Sequence, residues 1–325
     1  MNKLYLLAAI GAAVSILCAC GANLSASNAN SANNNANSAS MTETADNANN
    51  GASVTETADN GANIAEEDES AATDLEVYGF QAGKADAFLI TTANSTVLID
   101  AGEKGFGREI LSYLEEIGVE KLDYMIISHF DQDHVGGCAR ILNNFPVDHV
   151  LQNNRSKDSE EYEKYIKALK NAGLEPVTVR ESMEFVLDGV SWTVDPPRRN
   201  NYSDDDSNNA SLIVKITNGE NNLLFMGDAK TERIKEFLDW NQENYDLIKI
   251  PHHGKEESLI GDLLDNTKPK YAIITSSDDE LESEETVNAL ETAGTEVYFT
   301  RIAPIKFYCD GNYADIAYEN LDAAA

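Results

Sequence analysis

Hydrophobic residues are spread unevenly along the chain. An apolar run occupies Leu4 to Ala19, and a polar tract with almost no large apolar side chain follows from Gly21 to Thr73. From Leu75 onward, short apolar segments alternate with segments of helical period. Runs bounded by Gly, Asn and Asp predict strands at Glu76 to Ala82, Ala87 to Thr92 and Thr96 to Ile99. Asp100-Ala101-Gly102 breaks this pattern, and Ile110, Leu111, Leu114 and Ile117 then recur at the spacing of one helix face. Tyr124 to Ile127 and His149 to Leu151 read as strands, separated by a helix from about His134 to Asn143. Ser159 to Asn171 reads as a charged amphipathic helix with Tyr162, Tyr165, Ile166 and Leu169 as its stripe.

The second half repeats this style. Strands are predicted at Pro176 to Val179, Phe185 to Leu187, Val190 to Val194, Leu212 to Ile216 and Leu223 to Met226. A helix over Thr231 to Trp240 and a strand at Leu247 to Ile250 follow, then two more helix–strand pairs and a closing hairpin within Lys306 to Tyr318. The succession predicts an α/β class: two mixed sheets covered by helices outside, in one domain over residues 74–325, with its chemistry on strand-end loops.

The stretch before residue 74 has another character. The apolar run behind Lys3 has the shape of a secretory signal over residues 1–20. It ends in Leu17-Cys18-Ala19-Cys20-Gly21, which resembles the lipobox of bacterial lipoproteins and implies that Cys20 is lipidated after cleavage. An apolar run this short is marginal for spanning a bilayer, which takes about 20 residues. Residues 21–73 contain no Lys or Arg, consist of Asn, Ala, Ser, Thr and acids, and cannot bury enough surface to offset chain entropy. Thr42-Glu43-Thr44-Ala45-Asp46-Asn47 recurs as Thr55-Glu56-Thr57-Ala58-Asp59-Asn60, which reads as expansion of a disordered linker. The expected location is therefore extracytoplasmic, tethered to the membrane by lipid alone.

Charge sharpens the picture. Twenty-four Lys and Arg stand against 56 Asp and Glu, a net charge of −32. Eight acids and one lysine precede residue 74, so the domain keeps 48 acids against 23 basic residues and carries −25. That field opposes long polyanions and anionic membrane surfaces. Four cysteines are too few for a disulfide scaffold, and Cys138 and Cys309 are expected to be free thiols.

Four of the five histidines fall in two clusters. Ser128-His129-Phe130-Asp131-Gln132-Asp133-His134-Val135-Gly136-Gly137 sits where a strand gives way to a helix. Four imidazole or carboxylate groups within six residues suit a divalent Zn, Mn or Fe ion. Pro251-His252-His253-Gly254 ends another strand, and Gly227-Asp228 adds a carboxylate at a strand terminus between them. His149, alone beside a strand, reads as structural.

These stretches carry a resemblance. Val97 to Gly102, Ser128 to Gly137, Asn208 to Leu212, Leu224 to Ala229 and Pro251 to Gly254 resemble, in order and approximate spacing, the metallo-β-lactamase superfamily, and within it the hydrolase domain of ComEC-type competence proteins. The resemblance covers about Leu75 to Tyr318. It implies a four-layer αβ/βα sandwich with a two-metal site on one rim of the sheets. Carried over, His129 and Asp131 serve a first metal, Asp133 and His134 a second, and Asp228 bridges them. One of His252 and His253 completes the second site, and the sequence does not separate the two. Asp131 replaces the middle histidine of the lactamases, and Asn209 and Ser211 stand in the region of their isolated third-site histidine. This oxygen-rich first site sets Mn²⁺ beside Zn²⁺ as the candidate ion and argues against β-lactamase activity.

Two such ions would hold and ionise a water between them and stabilise charge on an electrophile's oxygens. The expected activity is therefore phosphodiester hydrolysis on a small-molecule, cell-envelope or nucleic-acid phosphoester. Asp133 or the non-ligating member of His252-His253 would shuttle the proton. Arg198 and Arg199, before the Asn209–Ser211 element, are candidates to grip a phosphate. Lys255 stands where competence proteins commonly have Ser. No counterpart of the competence proteins' membrane channel and oligonucleotide-binding barrel is read in this sequence, so DNA transport is not expected to carry over. A competence-type DNA nuclease and a non-catalytic metal-binding lipoprotein are the alternatives; no protein partner is evident.

Overall fold

Side chains alternate across a strand, so each fully apolar run feeds two hydrophobic layers at once. The computed structural model, which describes residues 72–203 and 205–320, shows this in both halves of the domain. Cys20, the segment 1–20 and nearly all of 21–73 lie outside the described residues. The first half forms strands β1 (Leu75–Gly79), β2 (Phe88–Thr91) and β3 (Thr96–Ile99), helix α1 (Gly107–Glu116), β4 (Leu122–Ile127), the short helices α2 (Gln132–Val135) and α3 (Cys138–Asn144), β5 (Val147–Gln152), α4 (Glu160–Ala172) and β6 (Val177–Thr178). The second half forms β7 (Met183–Leu187), β8 (Val190–Asp195), β9 (Ile213–Asn218), β10 (Asn221–Phe225), α5 (Thr231–Leu238), β11 (Leu247–Lys249), α6 (Ile260–Thr267), β12 (Tyr271–Ile274), α7 (Glu284–Ala293), β13 (Glu296–Phe299), β14 (Ile305–Cys309) and β15 (Ala314–Tyr318).

One sheet runs β15-β14-β1-β2-β3-β4-β5-β6 and the other β13-β12-β11-β10-β9-β8-β7. Val97, Ile99 and Ile126 from the first sheet and Trp192, Val214, Leu223, Phe225 and Leu247 from the second fill the layer between them. The alternate residues Leu98, Met125 and Ile127 pack on Ile110, Leu114, Ile141 and Tyr165 of the helices. Leu224, Ile248 and Ile274 pack likewise on Ile234, Phe237, Leu263 and Leu290. The architecture is thus the four-layer αβ/βα sandwich. Each such buried aliphatic side chain contributes roughly 1.5–3 kcal/mol relative to exposure, so the central layer and the two helix-facing layers all contribute to cohesion.

Local signals account for the element ends. Ser159 caps α4 by accepting from the Tyr162 amide, and Gly173 closes the helix in the left-handed region. Asp188-Gly189, both at positive φ, turn β7 into β8 as a two-residue hairpin loop requires. The closing hairpin forms as β14 and β15, but β14 pairs with β1 and so completes the first sheet rather than the second.

The expected helix from His134 to Asn143 is two helices broken at Gly136-Gly137. The break lets this turn approach the loop after β3: the Ala101 amide donates to His134 O (2.8 Å) and the Gly137 amide to Gly102 O (3.2 Å). A Cβ on Gly137 would fall on the Ala101 carbonyl oxygen and within 2.9 Å of the Gly107 nitrogen. Both are backbone atoms that cannot move aside. Gly137→Ala is therefore expected to cost at least about 2 kcal/mol. Gly261→Ala, where a Cβ meets nothing within 4 Å, should be neutral or stabilising by up to about 1 kcal/mol. Urea midpoints of the two variants check the contrast.

Candidate metal centre

In each sheet the parallel strands end at the same rim, and loops leaving carboxyl ends of parallel strands are where α/β folds place their chemistry. Asp100 follows β3, Ser128-His129 follows β4, Gly227-Asp228 follows β10, His252-His253 follows β11 and Thr275 follows β12. The backbone leaving β4 still alternates. Phe130 is buried beside Tyr162 and Tyr165 in the helix layer, while His129 on its other side turns into the rim. Asp131 starts α2 but its side chain makes no cap. It accepts instead from Lys157 Nζ (2.5 Å) and Ser207 Oγ.

The structure brings His129, Asp131, Asp133, His134, Asp228 and His253 to one point. His134 Nε2 is 3.2 Å from Asp228 Oδ1, and His253 Nε2 is 3.0 Å from Asp228 Oδ2 and 3.4 Å from Asp133 Oδ2. His129 Nε2 lies 3.9 Å from Asp228 Oδ2 and 3.8 Å from Asp131 Oδ1. His129, His134 and Asp228 present ligand atoms all within 4.8 Å of one another, as do Asp133, His134 and His253. Despite this crowding, His129 Nε2, His134 Nε2, His253 Nε2 and Asp228 Oδ1 are buried without a hydrogen-bond partner among the described residues. Orphaned buried polar atoms are costly. Three imidazole nitrogens and a carboxylate oxygen converging with no internal partner are a donor set that fits divalent cations.

Behind each imidazole stands a group that fixes its orientation. His134 Nδ1–H donates to Asp100 (2.7 Å), which also accepts from the Ser128 amide (2.7 Å) and hydroxyl (2.6 Å). His253 Nδ1 meets Thr275 Oγ1 (3.0 Å), which donates to Asp86 (2.7 Å). His129 Nδ1 lies 3.1 Å from Ser128 Oγ and 3.4 Å from Ser211 Oγ, and the Ser211 hydroxyl also accepts from the Asp228 amide (3.0 Å). Such partners set which ring nitrogen faces the metal. His252 and His253 both lie at positive φ (51° and 55°), a conformation costing a residue with a Cβ roughly 1–2 kcal/mol. The kink turns the two rings apart. His253 enters the cluster, while His252, half-buried, directs Nδ1 to Glu257 Oε1 (3.0 Å).

The remaining sequence candidates lie as follows. Arg198 reaches Asp195 at the end of β8 (3.5 Å) and sits over the Trp240 ring, while Arg199 pairs with Glu232 (2.8 Å) and Glu236 (3.3 Å) of α5, so both guanidinium groups are engaged with acids. Asn209 is buried and accepts from the Arg233 amide (3.0 Å). Lys255 donates to the Leu281 carbonyl (3.0 Å), and His149 packs on Tyr124. Cys138 and Cys309 are buried free thiols.

Sequence reasoning missed the groups that support the ligands. Asp86, in the β1–β2 loop, is held by its amide on Asp133 O (3.1 Å) and its carbonyl on the Gly102 amide (2.8 Å). Nothing in the local pattern marks it. Lys249, fully buried, pairs with Asp86 (2.6 Å), donates to Gly227 O (2.9 Å) and stands 3.6 Å from Asp228. A lysine inside the otherwise apolar run Leu247 to Ile250 was its signal, because a buried ammonium is tolerated only with partners.

Burial would raise the Asp86 pKa, but Lys249, His134 and His253 together bring it down to about 2. Burial and the neighbouring His134 lower His129. Burial would also lower His134 and His253, but the carboxylates win: Asp228, Asp100 and Asp86 hold His134 well above the usual imidazole range, and Asp228, Asp133 and Asp86 lift His253 to about 10.

A profile of the metallo-beta-lactamase superfamily matches residues 81–276, more than half of the chain. Recombination protein 2 of Haemophilus influenzae is 27% identical over 206 residues, covering 62% of this chain and 24% of that protein. ComE operon protein 3 of Bacillus subtilis is 24% identical over 168 residues, covering 51% and 21%. Competence protein ComA of Neisseria gonorrhoeae is 27% identical over 216 residues, covering 65% and 27%. The chain therefore spans about a quarter of the length of these relatives.

A ligand must be free of its proton to bind a cation. Because the folded pKa values of His134 and His253 are raised, binding should expel protons. Apparent affinity should climb with pH from about 6.5 up to about 10 and weaken toward acid. Calorimetry of cation binding in buffers of different ionisation heat reads the protons released; an affinity flat across this window would contradict the assignment.

Proposed function

The chain belongs to the metallo-beta-lactamase superfamily, and on that premise we propose that it is a two-metal phosphodiesterase held outside the cytoplasm by a lipid on Cys20. The observation that carries the reading is the convergence of unpartnered His129 Nε2, His134 Nε2, His253 Nε2 and Asp228 Oδ1 at one buried point. His129 and Asp131 would hold one ion, Asp133, His134 and His253 the other, with Asp228 between them. The mixed imidazole and carboxylate set suits Mn²⁺ or Zn²⁺. Such ions, when bound, lower the pKa of water and neutralise charge on phosphoryl oxygens.

The chain's own residues supply the rest. Asp100 holds His134 and the Thr275–Asp86 pair holds His253, so that both Nε2 atoms face the centre before substrate arrives. Hydrolysis adds water across the P–O ester bond, and the departing alkoxide needs a proton. His252 lies beside the centre outside the ligand cluster, and Glu257 orients it. Glu257 in turn is fixed by the Thr231 amide and hydroxyl (3.0 and 2.9 Å). His252 is therefore the group suited to deliver that proton, with Asp133 as the other candidate.

Nucleic acid is the second reading, favoured by the similarity to proteins named for recombination and competence. The charge of −25 on residues 74–325 opposes a long polyanion, so a small or cell-envelope phosphodiester is preferred. The full chain with Mn²⁺ or Zn²⁺ is expected to turn over bis-p-nitrophenyl phosphate. Asp228→Ala and Asp133→Ala should each lose at least about a hundredfold in rate. Turnover equal in wild type and both variants rejects the phosphodiesterase; cation binding without turnover favours a non-catalytic metal-binding protein. Activity on oligonucleotides that falls steeply with added salt, without activity on glycerophosphocholine, favours the nuclease. The apolar run ending in Leu17-Cys18-Ala19-Cys20 supports the anchor. Metabolic labelling with palmitate should mark the wild-type chain in a bacterial host and not Cys20→Ser.

A further inference from the structure

Asp131 and Asp133 enter the centre from one turn, but their surroundings differ. Asp133 Oδ2 stands 3.4 Å from His253 Nε2, and its nearest ammonium, Lys84, is 3.4 Å away and divided with Glu280 at 3.2 Å. Asp131 Oδ1 is bound outright, by Lys157 Nζ at 2.5 Å and by the Ser207 hydroxyl, and Lys157 Nζ also donates to Ser207 Oγ (3.0 Å). Lys157 is held in place. Its loop between β5 and α4 is fastened by Arg155, whose guanidinium donates to Asp206 (3.1 Å) and to the Arg199 carbonyl (2.9 Å).

The rest of that position is sparse. His129 Nε2, fully buried and unpartnered, lies nearly 4 Å from both Asp131 Oδ1 and Asp228 Oδ2. Asn209 Oδ1 is committed to the Arg233 amide and Ser211 Oγ to the Asp228 amide. The other position has Asp133, His134, His253 and Asp228 within 3.0–3.4 Å contacts of one another. An ammonium and a divalent cation want the same carboxylate oxygen, and they repel each other if both approach it.

We infer that Lys157 is a built-in competitor for the cation position between His129 and Asp131. The chain then takes one divalent cation tightly at Asp133, His134, His253 and Asp228, and a second weakly, because it must displace the Lys157 ammonium from Asp131. The inference rests on reading the site as a divalent-cation centre.

Titration of the metal-free full chain with Mn²⁺ alone, followed by calorimetry and by the electron paramagnetic resonance signal of free Mn²⁺, reads both steps without reference to activity. Wild type should bind one ion at least about tenfold more tightly than a second. Lys157→Met should tighten the weaker step by about tenfold and leave the tighter step within about threefold. Lys84→Met removes the same charge near the centre, and it should leave the weaker step within about threefold. Thermal unfolding verifies that each variant is folded, and Lys157→Gln substitutes if the methionine variant is not. Equal affinity of the two wild-type steps, an unmoved weaker step in Lys157→Met, or an equal gain in Lys84→Met each overturns the competition. Absence of any Mn²⁺ binding overturns the cation centre itself, a different outcome from these.

Discussion

Three imidazole nitrogens and a carboxylate oxygen meet at the carboxyl rim of both sheets without hydrogen-bond partners among the described residues, and the neighbouring structure is arranged around that deficit. An unsatisfied buried polar atom costs about 1–3 kcal/mol, so four of them together would be a heavy penalty for a fold that gained nothing from it. Asp100, Thr275 with Asp86, and Ser128 with Ser211 hold the rings so that the open atoms face one another. Lys249, a buried cation between Asp86 and Asp228, keeps the surrounding acids from repelling one another before any metal is present. The left-handed turn at His252-His253 adds backbone strain to the same purpose.

Much of this was legible in the sequence, for a reason that can be stated. Ligands crowded onto one turn, as at His129, Asp131, Asp133 and His134, leave a local signature, and so does a strand-end pair such as His252-His253. The alternating apolar runs likewise reveal the strands, because burial on both faces forces them to be apolar throughout. Partners distant in sequence leave no such trace. Asp86 looks like any loop acid, and only the packing of the β1–β2 loop against the turn at Asp133 brings it under His253. The Arg198-Arg199 pair shows the converse. Its composition suggested a grip for phosphate, yet Asp195 just before it engages Arg198, and Glu232 and Glu236, remote in sequence, engage Arg199.

Two features of elements the pattern did reveal were hidden from it. The apolar stripe from His134 to Asn143 reads as one helix because periodicity is blind to how near another backbone comes. The interruption at Gly136-Gly137 is dictated by Ala101 and Gly102, thirty-odd residues away. Nor could local signals reveal that the last hairpin joins the first strand, since a β-hairpin carries no mark of the sheet edge it will extend.

That last pairing bears on how the protein is made. β14 docks on β1 across a separation of more than two hundred residues, so the first sheet lacks two of its strands until nearly the entire domain has been synthesised. The contact order is correspondingly high, which slows folding and prolongs the life of incomplete states. During synthesis the edge of β1 that β14 later covers is open to pairing with other chains. Late closure of this kind makes the first sheet's integrity hostage to the last residues of the domain, so loss of β14 and β15 would uncover β1 along its whole length.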